Sequence, residues 1–259
     1  MTNNQILNGK IALITGSGRG IGKAIAIRLA QSGAHIVINF IRNREPAEQV
    51  ASQIREMGQK ALVVRANVGK VDQLTGMFDE IEKEFSGLDI FISNAASGFN
   101  RPGLQQKLEG WDHTMSVNAR AFLFAAQQVV PLMQNRGGGV MVAISSPGSV
   151  RVMPDYIAVG ASKAALESLV RYLAVELAPK NIVINAVSPG VVITDALKHF
   201  QIFSNEDLID RVAKATPAGR LVTPEDIANL VHFLCLPEAF MIRGQVIVID
   251  GGLTLPITV

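Results

Sequence analysis

The chain has a single cysteine, Cys235, so no internal disulfide can form. That thiol stands in the apolar run LVHFLCL, where it reads as a core residue, and a reducing, cytoplasmic setting is expected. Tyrosine is almost as scarce: only Tyr156 and Tyr172 are present, and any phenol that does chemistry must be one of them. There is no charge excess either, 24 Lys and Arg against 22 Asp and Glu, which leaves no footprint for nucleic acid or an anionic membrane. No apolar run reaches the ~18 residues of a membrane span. The opening MTNNQILNGK lacks the basic flank and long apolar stretch of a signal peptide, so a soluble protein is expected. His113 and His199 have no ligand partners at metal spacing, and no metal site is expected.

What is present is enough apolar material for a large core, 48% of residues against 18% charged. Short β-branched runs, KIALIT, HIVINF, KALVVRA, DIFISN, GVMVAIS, NIVINAV and GQVIVID, alternate with longer amphipathic stretches. Near-continuous apolar strands belong to a sheet covered on both faces. The pattern predicts an α/β chain with a doubly wound, seven-stranded, mostly parallel sheet and helices on both sides. No linker, repeat or low-complexity block divides it, so residues 1–259 read as one domain. Residues 194–220 interrupt the series with polar, helix-prone sequence at a strand's carboxyl end, where a substrate-covering lid is expected.

The first strand runs into TGSGRGIG, Thr15 to Gly22, and then into a helical pattern. The spacing is G-x-x-x-G-x-G from Gly16, Gly20 and Gly22, not G-x-G-x-x-G. Between a first strand and a first helix it reads as a pyrophosphate turn; alone it would equally suit a structural bend. Gly16 allows the tight turn, Gly20 the approach of backbone to phosphate, and Gly22 close packing of helix on strand. At the end of the second strand, where a carboxylate would hold a ribose 2'-hydroxyl, stand Asn39 and Phe40, with no acid before Glu45. Arg19 and Arg42 are placed to meet a 2'-phosphate instead, which favours NADPH; the alternative is two solvated surface arginines.

With these motifs the chain resembles the short-chain dehydrogenase/reductase family over nearly its whole length, and the resemblance implies a Rossmann fold. TGSGRGIG is similar to the family's cofactor turn, NAAS (Asn94–Ser97) to its Asn-Ala-Gly motif, and Asn118 in SVNARAFLF to its active-site asparagine. SPGVVIT (Ser188–Thr194) resembles the segment bracketing the nicotinamide, and VIDGG the C-terminal signature. The resemblance implies cofactor contacts from Gly16, Ser17, Arg19, Gly20, Ile21, Gly22, Arg42, Val68, Asn94, Ala95, Ala96, Pro189, Gly190, Ile193 and Thr194. Asn67 stands where the family usually has an aspartate beside the adenine. Ser146 occupies the family's serine position. The family tyrosine would lie four residues before Lys163, and there the chain has Val159; Tyr156 lies seven before. Tyr-x6-Lys together with NAASG, VGASKAALESLVRYLAVELAPK, TDALKHF and TPAGR resembles the NADPH-dependent enoyl-acyl-carrier-protein reductases of the third type.

On a helix, positions i+4 and i+7 return to nearly the same face, about 6 Å and about 10.5 Å along the axis. Tyr156 and Lys163 therefore face one cleft, but the longer spacing weakens the acidification of the phenol by the ammonium. A less acidic tyrosine serves as a hydrogen-bond donor to a thioester carbonyl while hydride adds at the β-carbon. The catalytic candidates are Tyr156 as that donor, Lys163 as the residue that binds the nicotinamide ribose, Ser146 either direct or supporting, and Asn118 as a structural or water-holding residue. Tyr172, mid-helix in VRYLAVEL, is expected in the core.

The expected activity is NADPH-dependent reduction of 2-enoyl thioesters, carried by acyl carrier protein or coenzyme A, in fatty-acid or polyketide synthesis. A 3-oxoacyl or carbonyl reductase, or alcohol dehydrogenase, is the alternative, and a non-catalytic dinucleotide sensor a third. Within 194–220, Leu197, Phe200, Ile202 and Phe203 are expected on the acyl chain and Lys198 near the carrier's phosphate. The resemblance also implies a homotetramer.

Overall fold

In the computed structural model, which describes residues 5–193 and 206–256, the seven apolar runs are seven strands. They are β1 (Ile11–Ile14), β2 (His35–Phe40), β3 (Ala61–Arg65), β4 (Ile90–Ser93), β5 (Gly139–Ile144), β6 (Ile182–Pro189) and β7 (Val246–Ile249). Their order is β3-β2-β1-β4-β5-β6-β7. Every neighbouring pair is parallel, so the sheet is parallel throughout and not merely for the most part. Helical crossovers return the chain to the same end of the sheet before each strand, so every strand runs in the same direction.

The helices are α1 (Gly20–Gln31), α2 (Arg44–Glu56), α3 (Val71–Phe85), α4 (Leu108–Met115), α5 (Ala121–Gln134), α6 (Ile157–Glu176), α7 (Glu206–Ala215) and α8 (Pro224–Leu234). The two-residue period of the strands sorts their side chains between two cores. From β1, Ile11 and Leu13 join the core under α3, α5 and α6. Ala12 and Ile14 join the one under α1, α2 and α8. Cys235 is buried in the second, and burial pushes its thiol up to about 12, so it is inert near neutrality. No helix among the described residues is long and apolar enough to cross a membrane.

Two local features shape the region at the carboxyl ends of the strands. Strand order reverses beside β1, which has β2 on one side and β4 on the other, leaving a crevice there. Between α4 and α5 the helix does not break; it widens through one π turn, Ser116–Arg120, which carries Asn118. Of the expected lid, Thr194 and the residues Leu197, Lys198, Phe200, Ile202 and Phe203 lie outside the described residues. Its far end is α7 followed by 216–220. That end is tied down: the Ala218 amide donates to the Gly251 carbonyl at 3.0 Å. Arg220 forks onto Asp226 at 2.6 and 2.9 Å. Asp226 also closes a capping box with Thr223 at the start of α8.

Candidate active site

The glycine turn after β1 is built as its residues dictate. Gly16 and Gly20 have φ of +65° and +54°, a region that side chains disfavour. Gly22 has no room for a side chain, since a Cβ there would meet Asn94 Nδ2 and the Gly16 carbonyl oxygen, both at 2.6 Å. Asn94 is the reason: its amide donates to the carbonyls of Thr15 (2.9 Å) and Gly16 (3.2 Å). The Thr15 hydroxyl in turn accepts from the amides of Asn94 and Ala95 at 2.9 and 3.0 Å. Asn39 holds the turn from the other side, accepting from the Gly16 amide and donating to the Ala66 carbonyl. Thr15 and Asn39 were not among the site candidates, because their role lies in cross-strand contacts that no local motif announces.

With the turn held, the first N–H groups of α1 have no side-chain cap. An uncapped helix start at the crevice suits a pyrophosphate. Arg19 and Arg42 are both exposed. Not every candidate reaches outward. The Ser17 hydroxyl donates to the Ile14 carbonyl at 2.7 Å and its amide to the Asn39 carbonyl, within the turn. The Asn67 side-chain oxygen accepts from the Gly69 amide, and Val68 is buried in the core. Ala96 and Ile193 are exposed, Ile21 is half-buried, and Pro189 is buried at the end of β6. Gly190 packs so closely on the end of β7 that a Cβ would come 2.8 Å from that of Asp250.

Across the crevice, β5 ends at Ile144 and leads through Ser145 and Ser146 to the short 3-10 turn Pro147–Ser149. Tyr156 is the N-cap residue of α6, and its hydroxyl lies 3.3 Å from Ser146 Oγ. Three features seat it there. Asp155, just before it, has φ of +61°, a strained conformation that Asp tolerates better than most, and its carbonyl accepts from the Arg101 amide. Gly148 leaves room for the ring: a Cβ there would lie 2.6 Å from both Tyr156 Cδ1 and Cε1. Gly160 lets the first turn of α6 approach the Gly148 carbonyl. Burial raises the Tyr156 pKa, and its contact with Ser146 only partly opposes this, so the phenol stays protonated at neutral pH.

Val159, at the position of the usual family tyrosine, is buried against Gly98; a Cβ at Gly98 would collide with it. Lys163 is buried one turn further on and donates to the Ile144 carbonyl at 2.7 Å; burial draws its ammonium down to about 8. Asn118 bonds both backbone groups of Ser97, and it also donates to Ser162 Oγ. That asparagine clamps the loop after β4 to α6. Tyr172 is a correction: it is 75% exposed, not core. Helix α6 is apolar on more than one face, and periodicity alone cannot tell which face meets the sheet. A cavity of about 580 Å³ opens elsewhere, beside Ile41, Asn67 and Lys70 at the ends of β2 and β3.

A phosphate-ready helix start on one side of the switch point, with a protonated phenol, a serine and a buried lysine on the other, defines the class: a dinucleotide-dependent α/β oxidoreductase. The chain belongs to the short-chain dehydrogenase/reductase family, its residues 16–254 matching the family model described as Enoyl-(Acyl carrier protein) reductase. It is 38% identical to a 1-cyclohexenylcarbonyl-CoA reductase of Streptomyces collinus over 95% of this chain and 87% of that protein. It is 34% identical to the versicolorin reductase stcU of Emericella nidulans, over 97% of this chain and 98% of the other. Among solved structures, a 7α-hydroxysteroid dehydrogenase complexed with NADH and 7-oxo glycochenodeoxycholic acid superposes with a TM-score of 0.91 at 34% identity, covering 97% of each chain.

Proposed function

We propose that the protein reduces the carbon–carbon double bond of 2-enoyl thioesters with NADPH. The observation that carries this is the tyrosine: Tyr156 is seated against Ser146 while buried Val159 fills the position from which a family tyrosine would act. The residues present fit a bound dinucleotide. The uncapped start of α1 would take the pyrophosphate, Arg19 and Arg42 a 2'-phosphate, and Lys163 the nicotinamide ribose. When bound, the dinucleotide supplies a hydride. Tyr156, kept protonated by burial, donates a hydrogen bond to the thioester oxygen, and Ser146 orients its hydroxyl. Addition at the β-carbon places negative charge on that oxygen, where the Tyr156 donor stabilises the enolate, and a proton taken up from solvent water at the α-carbon completes saturation. The name of the Streptomyces relative denotes a thioester with a conjugated ring double bond, which supports the same substrate class.

A second reading has support too. The Ser146–Tyr156 pair would equally bind a ketone oxygen, and the relatives include the versicolorin reductase. The deciding experiment measures NADPH oxidation with a 2-enoyl thioester and a 3-oxoacyl thioester, each on acyl carrier protein and on coenzyme A. Faster turnover of the enoyl substrate is expected; faster turnover of the 3-oxoacyl one replaces the proposal with a carbonyl reductase. Fatty-acid or polyketide synthesis is the setting proposed for this activity, with a cytoplasmic homotetramer as the form.

A further inference from the structure

Glu167 belongs to no motif of the site, yet it is placed directly behind it. It lies one helical turn beyond Lys163 on α6, is only 5% exposed, and sits between the core residues Leu166 and Val170. A lone buried carboxylate is costly unless donors or a cation compensate it. Both are present. Oε1 of Glu167 accepts from Ser145 Oγ at 2.5 Å and from Ser149 Oγ at 2.6 Å. These two serines bracket Ser146, one just after β5 and the other closing the 3-10 turn. The same carboxylate acts on the Lys163 ammonium, which four residues of helix bring onto its face.

We propose that Glu167 is a positioning residue for the reaction: it keeps buried Lys163 charged and holds residues 145–149 so that Ser146 stays against Tyr156. Burial draws Lys163 down to about 8, and the negative charge of Glu167 is what opposes that pull. The elements packed on this part of α6 offer little else. Strands β5 and β6, helix α5 and the 147–149 turn contain no ionisable side chain. Glu109, Asp112 and His113 of α4 are exposed, and so is Lys180 in the turn after α6. Arg120 of the π turn is exposed and donates to the Gly69 carbonyl. On α6 itself Arg171 and Glu176 face solvent, and Tyr156 at its start is the other titratable group facing inward.

The inference rests on the assignment of Lys163 to the dinucleotide. NADPH binding is measured by fluorescence titration from pH 6 to 10 in the wild type, Glu167→Gln, Glu167→Asp and Lys163→Ala. Wild-type affinity is expected to fall as pH rises through about 8. Glu167→Gln moves that fall down by roughly one pH unit, the low end for one removed neighbouring charge, and Glu167→Asp restores it. An unmoved profile in folded Glu167→Gln overturns the proposal while leaving Lys163 in its role. A wild-type pH dependence that survives in Lys163→Ala instead overturns the Lys163 assignment itself. Should Glu167→Gln fail to fold, Ser149→Ala keeps the charge and removes one tie: turnover is expected to drop roughly fivefold to tenfold, the scale of one hydrogen bond, at unchanged NADPH affinity. Unchanged turnover in that variant overturns the proposal.

Discussion

Burial shifts the pKa values of Tyr156 and Lys163 in opposite directions. The phenol is pushed further from ionising, so it keeps a proton to donate in a hydrogen bond. Tyr156→Phe is therefore expected to lower turnover of an enoyl thioester by roughly 10²-fold or more, as for one removed oxyanion donor, with NADPH affinity nearly unchanged. Stopped-flow turnover beside equilibrium titration checks both halves. The lysine is drawn from its ordinary 10.5 down to about 8. Between those values the unfolded chain binds the proton that the folded chain has released, so stability of the unliganded protein should rise with pH across that window. Below about 8 both states are charged and the full penalty of burying the ammonium remains. Urea unfolding of wild type and Lys163→Met at pH 7 and 9.5 tests the sign: the wild type should gain relative to the variant at the higher pH.

At the scale of elements, the first turn of α6 is held from three directions. The strained Asp155 aims it, the 147–149 turn packs beneath it, and Asn118 in the π turn reaches it through Ser162. Gly148 is where this arrangement is least tolerant. A Cβ there would collide with the Tyr156 ring, and the contact involves a constrained aromatic, not a flexible chain end. Gly148→Ala is expected to cut turnover at least tenfold while NADPH binding persists, since the glycine turn lies on the far side of the crevice. Asp155→Val, a β-branched residue forced into the left-handed region, should cost about 1–2 kcal/mol of stability. Asp155→Gly should not, and chemical denaturation distinguishes the two.

For the whole molecule, the parallel sheet brings the glycine turn after β1 and the Ser146–Tyr156 pair to the carboxyl ends of its strands from segments more than a hundred residues apart in sequence. NADPH is expected to bind more tightly than NADH to the wild type, and Arg42→Ala to erase most of that preference, read by titrating both cofactors. The outer face of α6 exposes Tyr172 and Val175 at 75% and 78%. Exposed apolar side chains on that helix suit a contact between copies, and sedimentation is expected to give a tetramer that Tyr172→Glu weakens.

The order and type of the elements were legible in the sequence. Apolar β-branched runs of strand length have few other fates, and glycines between strand and helix mark the tight turn after β1. Tyr156 and Lys163 stand out in the sequence by their spacing, but Tyr156 is the N-cap residue ahead of α6, so its place against Ser146 is set by the 147–149 turn and not by helical periodicity. Tertiary structure alone decided the rest. That Asn94, Asn39 and Ser17 brace the glycine turn, that Tyr172 faces outward, and that Glu167 lies behind the serines all depend on which face of a helix or strand meets which neighbour. A local pattern records periodicity, whereas burial, the first cause of the shifts at Tyr156 and Lys163, is set by contacts between segments distant in sequence.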